Sequence, residues 1–386
     1  MQLTRIRLEN FKAQRDADID VRRFNILTGY NSAGKTTVLQ ALVFVKQSLT
    51  RSEITYNDYL LRLGDFKELV HTHDESLAIG IALDFEDDGH TATYELKVSR
   101  MGTAEAFSVD GSLAWRWDST DIRALEPSGR VFLAQAAAGH GGGEYIQQPS
   151  AELAALIIPF QRKVVEWFEN MLYLSSSRGF TKYSYPLLAG QPSTEEVAKR
   201  AGDASLLEEW LSNLIMYRIN ESQRYPKMRA QLDAMRERLG RVGVDINPYV
   251  MNGPSVVIDL TEGDMWVSAV NSGYGINQLV SSVVLGTLLE PGTLVAIEEP
   301  EIHLHPKMQR IFCNILVEIA GEGKQVVITS HSEHFLATLA EAVEAGKLTD
   351  GDIQVYHFFK GGEAGRQTCA ELVDVHNADQ VHDLFY

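Results

Sequence analysis

Residues 29–36 read Gly-Tyr-Asn-Ser-Ala-Gly-Lys-Thr and follow a mostly apolar run at 24–27. The spacing Gly-x-x-x-x-Gly-Lys-Thr is that of a phosphate-binding P-loop, in which each residue type has a task. Gly29 and Gly34 permit backbone conformations that a side chain would block, so that N–H groups across Asn31, Ser32 and Ala33 can converge on phosphate oxygens. A helix-like run from Thr36 and Thr37 then offers its positive end to the same anion. Lys35 would reach the β and γ phosphates as a point charge, and the Thr36 hydroxyl would ligate Mg²⁺. A nucleotide triphosphate is therefore the expected ligand.

Such a loop needs an acid near the metal, at the end of an apolar strand. The stretch LVAIEEP supplies one, with Glu298 placed to hold the metal and Glu299 to orient or deprotonate an attacking water. Successive strand residues face opposite ways, so both acids serve one site only where the strand ends, and Pro300 marks that turn. His331 closes another apolar run, VVITSH, where an imidazole could sense the γ-phosphate. Ser272, Gly273 and Gly275 precede a helix expected from about Ile276. They form either an anion-receptive helix start or a plain glycine turn. His303 and His305, in EIHLHP, suit a loop that packs across a partner subunit or a local turn.

These groups need strands and helices to hold them. The N-terminus alternates with Thr4, Ile6 and Leu8 on one face and Arg5 and Arg7 on the other, then turns at 10–15 toward the P-loop strand. A helix is expected over about 36–48, and two hairpins should turn at Asp87-Asp88-Gly89 and at Asp110-Gly111. Residues 134–150 have no periodicity and read as a loop; helical patterning dominates 151–172 and 194–239, broken at Pro226. Strands follow at 255–260, before Glu298 and before His331, and the tail reads as a hairpin turning at Gly361-Gly362. The expected fold is α/β, a P-loop head with an antiparallel β subdomain and a mainly helical insertion. The divisions are 1–133 for the N-terminal lobe, 134–249 for the insertion, 250–340 for the C-terminal lobe and 341–386 for the tail.

A formal charge of −17 argues against indiscriminate coating of nucleic acid, which depends on many Lys and Arg side chains. Seven basic residues nonetheless cluster in the insertion: Arg218, Arg224, Lys227, Arg229, Arg236, Arg238 and Arg241. Against Glu221, Asp233 and Glu237 they leave a net of +4, either a docking patch for DNA or an acidic protein, or a solvated helix face. Cys313 and Cys369 are the only cysteines and match no zinc spacing, so both are expected as reduced thiols. With no apolar run of about 18 residues and no basic-then-apolar leader, the chain is expected to be cytoplasmic and without a membrane partner.

The motifs IRLENFKAQRDADIDVRRFNILTGYNSAGKTT, SGYGINQ, AIEEPEIHLHP and ITSHSEHF, in this order, resemble the ABC-type ATPases of the RecF, SMC and OLD group, specifically compact bacterial AAA family ATPases. The resemblance implies an ATPase head of RecF/SMC-like fold that uses ATP and Mg²⁺ and dimerises with two ATP molecules sandwiched between heads. It implies phosphate binding in cis by residues 29–37, contact with the opposite ATP by Ser272, Gly273 and Gly275, metal binding by Glu298, water activation by Glu299 and a switch role for His331. The segment YLSSSRGFTKYSY also resembles one in this group, with Arg178 as a candidate site or partner contact. Two features depart from the pattern: Glu298 stands where the group usually has Asp, and the signature is not Leu-Ser-Gly-Gly-Gln. Gln47 lies too near the P-loop to serve as a Q-loop residue.

OLD proteins carry a TOPRIM nuclease after the ATPase. Only 55 residues follow His331, so nuclease activity in the same chain is not expected. The function expected from the resemblance is a dimeric, or higher-order, ATP switch acting as sensor of a bacterial antiphage system with a separate effector such as a nuclease. The alternatives are a RecF-like repair ATPase on duplex DNA and, less favoured, a transporter subunit.

Overall fold

The computed structural model describes residues 1–58, 60–118, 151–201, 203–251, 253–361 and 367–384. The loop expected over 134–150 and the tail turn at Gly362 lie outside them. The chain divides into two compact units, Met1–Glu169 with Gln354–Val373, and Asn170–Ile353 with Asp374–Tyr386.

The first unit opens with β1 (Gln2–Phe11) and β2 (Gln14–Asp20), an antiparallel pair. Left-handed backbone at Asn10 (φ 51°) and Lys12 (φ 52°) makes the turn between them. With β4 (Ile79–Asp87), β5 (His90–Ser99), β6 (Gly102–Val109) and β7 (Ser112–Asp118) they form a six-stranded antiparallel sheet in the order β2-β1-β4-β5-β6-β7. The expected turns at Asp87-Asp88-Gly89 and Asp110-Gly111 join β4 to β5 and β6 to β7. The β1 alternation needs one correction. A register shift between Leu3 and Arg5 turns Leu3 into the core in place of Thr4, whose hydroxyl instead donates to the Asp84 carbonyl.

The nucleotide half of this unit is β3 (Phe24–Gly29), every residue of it buried, followed by α1 (Lys35–Arg51). Among the described residues the next long helix after the short α2 (Phe66–Leu69) is α3 (Ala151–Asn170), and Leu172, expected on it, belongs to a strand instead. The terminal hairpin, β15 (Ile353–Gly361) with β16 (Gln367–Leu372), packs on the P-loop. A Cβ on Gly29 would lie 2.0 Å from the Phe358 carbonyl oxygen, and one on Gly34 3.2 Å from the Thr368 methyl.

In the second unit β8 (Leu172–Leu174), β13 (Leu294–Glu298) and β14 (Gln325–Thr329) run parallel, with β13 between the other two. A separate small sheet holds β9 (Tyr185–Pro186), β10 (Ile246–Met251), β11 (Ser255–Glu262) and β12 (Met265–Ser268). The helices are α4 (Thr194–Arg200), α5 (Ala204–Glu221), α6 (Pro226–Arg241), α7 (Tyr274–Leu288), α8 (Pro306–Gly321), α9 (Glu333–Glu344) and α10 (Ala378–Asp383). Pro226 divides the helical region by opening α6 at its first turn, where its missing N–H costs nothing. Among the described residues no helix is long and apolar enough to cross a membrane.

Candidate ATP site

The P-loop lies between β3 and α1 of the first unit. Gly29 (φ 130°), Ser32 (φ 60°) and Gly34 (φ 96°) all adopt positive φ, so the loop curls back on itself before the helix begins. Gly34 caps α1 without a side-chain hydrogen bond, and the first turn of the helix carries no acidic residue. The positive end of α1 is thus not neutralised by a carboxylate of that turn, as an anion site requires. Lys35 is buried, its Nζ donating to the Gly29 and Tyr30 carbonyls at 2.9 Å each. Asn31 and Ser32 are exposed, Ala33 and Thr37 buried, and Thr36 half-buried. Gln14, on β2, donates from Nε2 to the Gly34 carbonyl at 3.1 Å and ties the N-terminal turn to the loop.

The acids lie in the second unit, where β13 ends. Glu299 takes φ 42°, a strained value for a side-chain-bearing residue, and its N–H donates to the Thr329 carbonyl at 2.9 Å. Glu298 Oε1 accepts from the Tyr173 hydroxyl at 2.7 Å. Burial pushes the Glu298 carboxyl above its ordinary range, against the lowering effect of that hydroxyl and of the Ser176 N–H. Glu299 is more open, and its Oε1 lies 3.9 Å from His331 Nε2. The two groups expected to act on water and on the γ-phosphate are therefore neighbours.

Sequence reasoning missed two contributors. Tyr173 opens the segment YLSSSRGFTKYSY without an expected role; it sits on β8 and reaches Glu298 because β8 pairs directly with β13. Glu301 is half-buried and its Oε1 accepts from the Ser330 hydroxyl at 3.0 Å and from the His331 N–H at 2.5 Å, fixing the backbone that carries His331. A third acid in EEPE was the available signal for Glu301. Nothing in the spacing points to Tyr173.

Ser272, Gly273 and Gly275 do lead into a helix, α7, which starts at Tyr274, two residues before the expected position. A Cβ on Gly275 would lie 2.4 Å from the His303 carbonyl oxygen, so glycine is required by close packing. His303 packs its ring edgewise on Tyr274 with centroids 4.9 Å apart, while His305 caps α8 through its Nδ1. Both histidines thus have local work in this turn. The Gly273 N–H donates to the Glu262 carboxylate at 2.9 Å.

Two features of the candidate partner surface need revision. Arg178 is 3 % exposed, and its guanidinium points inward at the carbonyls of the acidic turn, so it is no surface contact. The basic cluster is largely matched by carboxylates. Arg224 pairs with Glu221, Lys227 with Glu290, and Arg236 lies 3.8 Å from Asp245. Arg238 is held by Glu318 and Glu322, and Arg241 by Glu318 and Glu237. Arg218 is half-buried beside Gln231, and Arg229 is exposed. The +4 count overstated the field because Glu290, Glu318 and Glu322 come from distant sequence.

Two solved SMC structures are similar to this chain. An SMC head bound to the C-terminal winged-helix domain of ScpA is 11% identical, covers 98% of this chain and 100% of its own, and has a TM-score of 0.57. An SMC head with an extended coiled coil, bound to the C-terminal domain of ScpA from Pyrococcus furiosus, is 12% identical, covers 99% and 98%, and has a TM-score of 0.51. At such identities these likenesses speak for the fold alone. A curated relative, the OLD nuclease of Thermus scotoductus, is 23% identical over 364 residues, 86% of this chain, and the chain spans 59% of that protein's length.

The fold is thus that of an SMC head, with the P-loop motif, the acidic strand end and the strand-end histidine following one another along the chain. The chain belongs to the AAA ATPase domain family, whose model matches residues 1–114 and 205–336, more than half of its length.

Proposed function

We propose that this chain is an ATP-gated dimeric switch, two heads closing on two ATP molecules and reopening on hydrolysis. We assign it the sensor or regulatory role in a bacterial antiphage system whose nuclease or other effector is a separate protein. The acidic turn carries the switch reading: a carboxylate at Glu299, partly open to solvent, with the His331 imidazole 3.9 Å away, is the arrangement that water activation under control of a γ-phosphate calls for. Residues 29–37 bind the triphosphate, with Lys35 leaving its two loop carbonyls for phosphate oxygens. Ser272, Gly273 and Gly275 meet the nucleotide held by the second copy. Glu299 takes the proton of the attacking water, and His331 registers whether the γ-phosphate is present.

Thr36 and Glu298 would hold Mg²⁺. Glu298 suits a cation, because its buried carboxylate carries a desolvation penalty that a nearby positive charge relieves. When bound, the metal supplies charge neutralisation for the triphosphate. The defence role draws on the likeness to an OLD nuclease, extended here to a chain spanning 59% of that protein.

The test is the solution mass of wild type and of Glu299→Gln, with and without Mg-ATP, alongside phosphate release. ATP should drive association, and the substitution should trap the associated form while lowering turnover by at least ~100-fold. Mass unchanged by ATP together with surviving hydrolysis would sink the reading. A RecF-like repair ATPase would instead retain duplex DNA only with ATP, with a steep salt dependence.

A further inference from the structure

We infer that Arg178 is a positioning residue for ATP hydrolysis, a buried guanidinium that sets the backbone of the acidic turn from which Glu298 and Glu299 project. The inference rests on the roles proposed above for those two acids. Arg178 Nη1 donates to the Glu298 carbonyl at 2.6 Å and to the Ser175 carbonyl at 2.8 Å, and Nη2 donates to the Glu299 carbonyl at 3.0 Å. One planar fork thus grips two consecutive carbonyls at the residue where the strand ends. Glu299 there holds φ 42°, a conformation that costs energy and persists only where its surroundings impose it. The impositions are visible: Thr329 takes the Glu299 N–H and Arg178 takes its carbonyl. Released to extended geometry, the two side chains would point to opposite faces, and only one could serve a given site.

The segment carrying Arg178 is itself clamped. Asn277 of α7 accepts from the Phe180 N–H and donates to the Phe180 carbonyl, both at 2.7 Å, and Gln278 donates to the Ser176 carbonyl at 3.1 Å. Asn277 and Gln278 lie within one turn of Gly275, so the helix start expected to meet a second nucleotide is tied through Arg178 to the hydrolytic acids. A buried cation also offsets the repulsion of the carboxylates of Glu298, Glu299 and Glu301 around it. Lysine keeps the charge but has no planar fork with which to hold both carbonyls.

The experiment compares Arg178→Lys and Arg178→Gln with wild type and Glu299→Gln, measuring phosphate release against ATP concentration, mass with Mg-ATP, and thermal unfolding. Both Arg178 variants should keep KM within about twofold while kcat falls ~10- to 100-fold, and both should be trapped by ATP in the associated form as Glu299→Gln is. Wild-type kcat in Arg178→Lys overturns the inference. So does a KM that rises in proportion to the loss of kcat, or failure of both variants to fold, since either makes Arg178 a residue of the scaffold. Wild-type turnover in Glu299→Gln would overturn the assignment of the acids, and this inference with it. An inactive Glu299→Gln beside a fully active Arg178→Lys would overturn this inference alone.

Discussion

At Gly29 the backbone runs at φ 130°, and a Cβ would fall 2.0 Å from the carbonyl oxygen of Phe358. Both facts exclude a side chain, one through conformation and the other through a collision with backbone that has nowhere to move. Gly29→Ala is accordingly expected to lower stability by ~2–4 kcal/mol, read as a shift of the urea midpoint at unchanged m-value, and to abolish ATP-dependent mass change. Unaltered stability would mean that the β15 hairpin is free to yield at this point. Lys35 sits against the same loop: it is buried, and its Nζ donates to the Gly29 and Tyr30 carbonyls at 2.9 Å each. Phosphate oxygens are charged acceptors and so hold an ammonium more strongly than those neutral carbonyls do.

Among the elements, α6 shows how far charge counting along a helix can mislead. Arg238 is 5 % exposed and donates to Thr287 Oγ1 at 2.9 Å and to Glu322, so removing it opens a cavity and takes from Glu322 one of its two cations, the other being Lys324. Lys227, in contrast, pairs with Glu290 at 2.9 Å out in solvent. Arg238→Ala should therefore cost ~2–4 kcal/mol in chemical denaturation, while Lys227→Ala stays within ~0.5 kcal/mol of wild type. Equal effects would show that the α6 ion pairs do not discriminate buried from exposed partners. The three residues of β8 carry a weight out of proportion to their length, since pairing with β13 is what delivers Tyr173 and the Arg178 segment to the acids.

For the whole molecule, the charge of −17 and the internal neutralisation of its densest basic stretch point the same way. Without nucleotide, the protein should not retain a duplex oligonucleotide at about 0.15 M salt, because binding by counterion release needs several uncompensated cations on one face. Fluorescence anisotropy of a labelled duplex checks this. Retention under those conditions, with affinity falling steeply as salt rises, would mean that a basic surface exists outside α6.

The sequence by itself determined the chemistry that is local in the chain. Glycines, a lysine and a threonine at fixed spacing specify a P-loop whatever surrounds it, because the phosphate cradle is made of consecutive backbone groups. Period-two alternation and the turns at Gly89 and Gly111 specified the hairpins for the same reason, and the bulge that exchanged Thr4 for Leu3 marks where such local reading fails. Only the tertiary structure decided which side chains attend the acids. Tyr173 and Glu298 are 125 residues apart, and Arg178 and Glu299 are 121 apart; they meet through strand pairing and buried hydrogen bonds that leave no periodic trace in the chain. The fate of the basic cluster was likewise settled in large part by carboxylates folded onto it from 63 or more residues away, as with Lys227 and Glu290 or Arg238 and Glu322, because electrostatic fields depend on distance in space and not along the sequence.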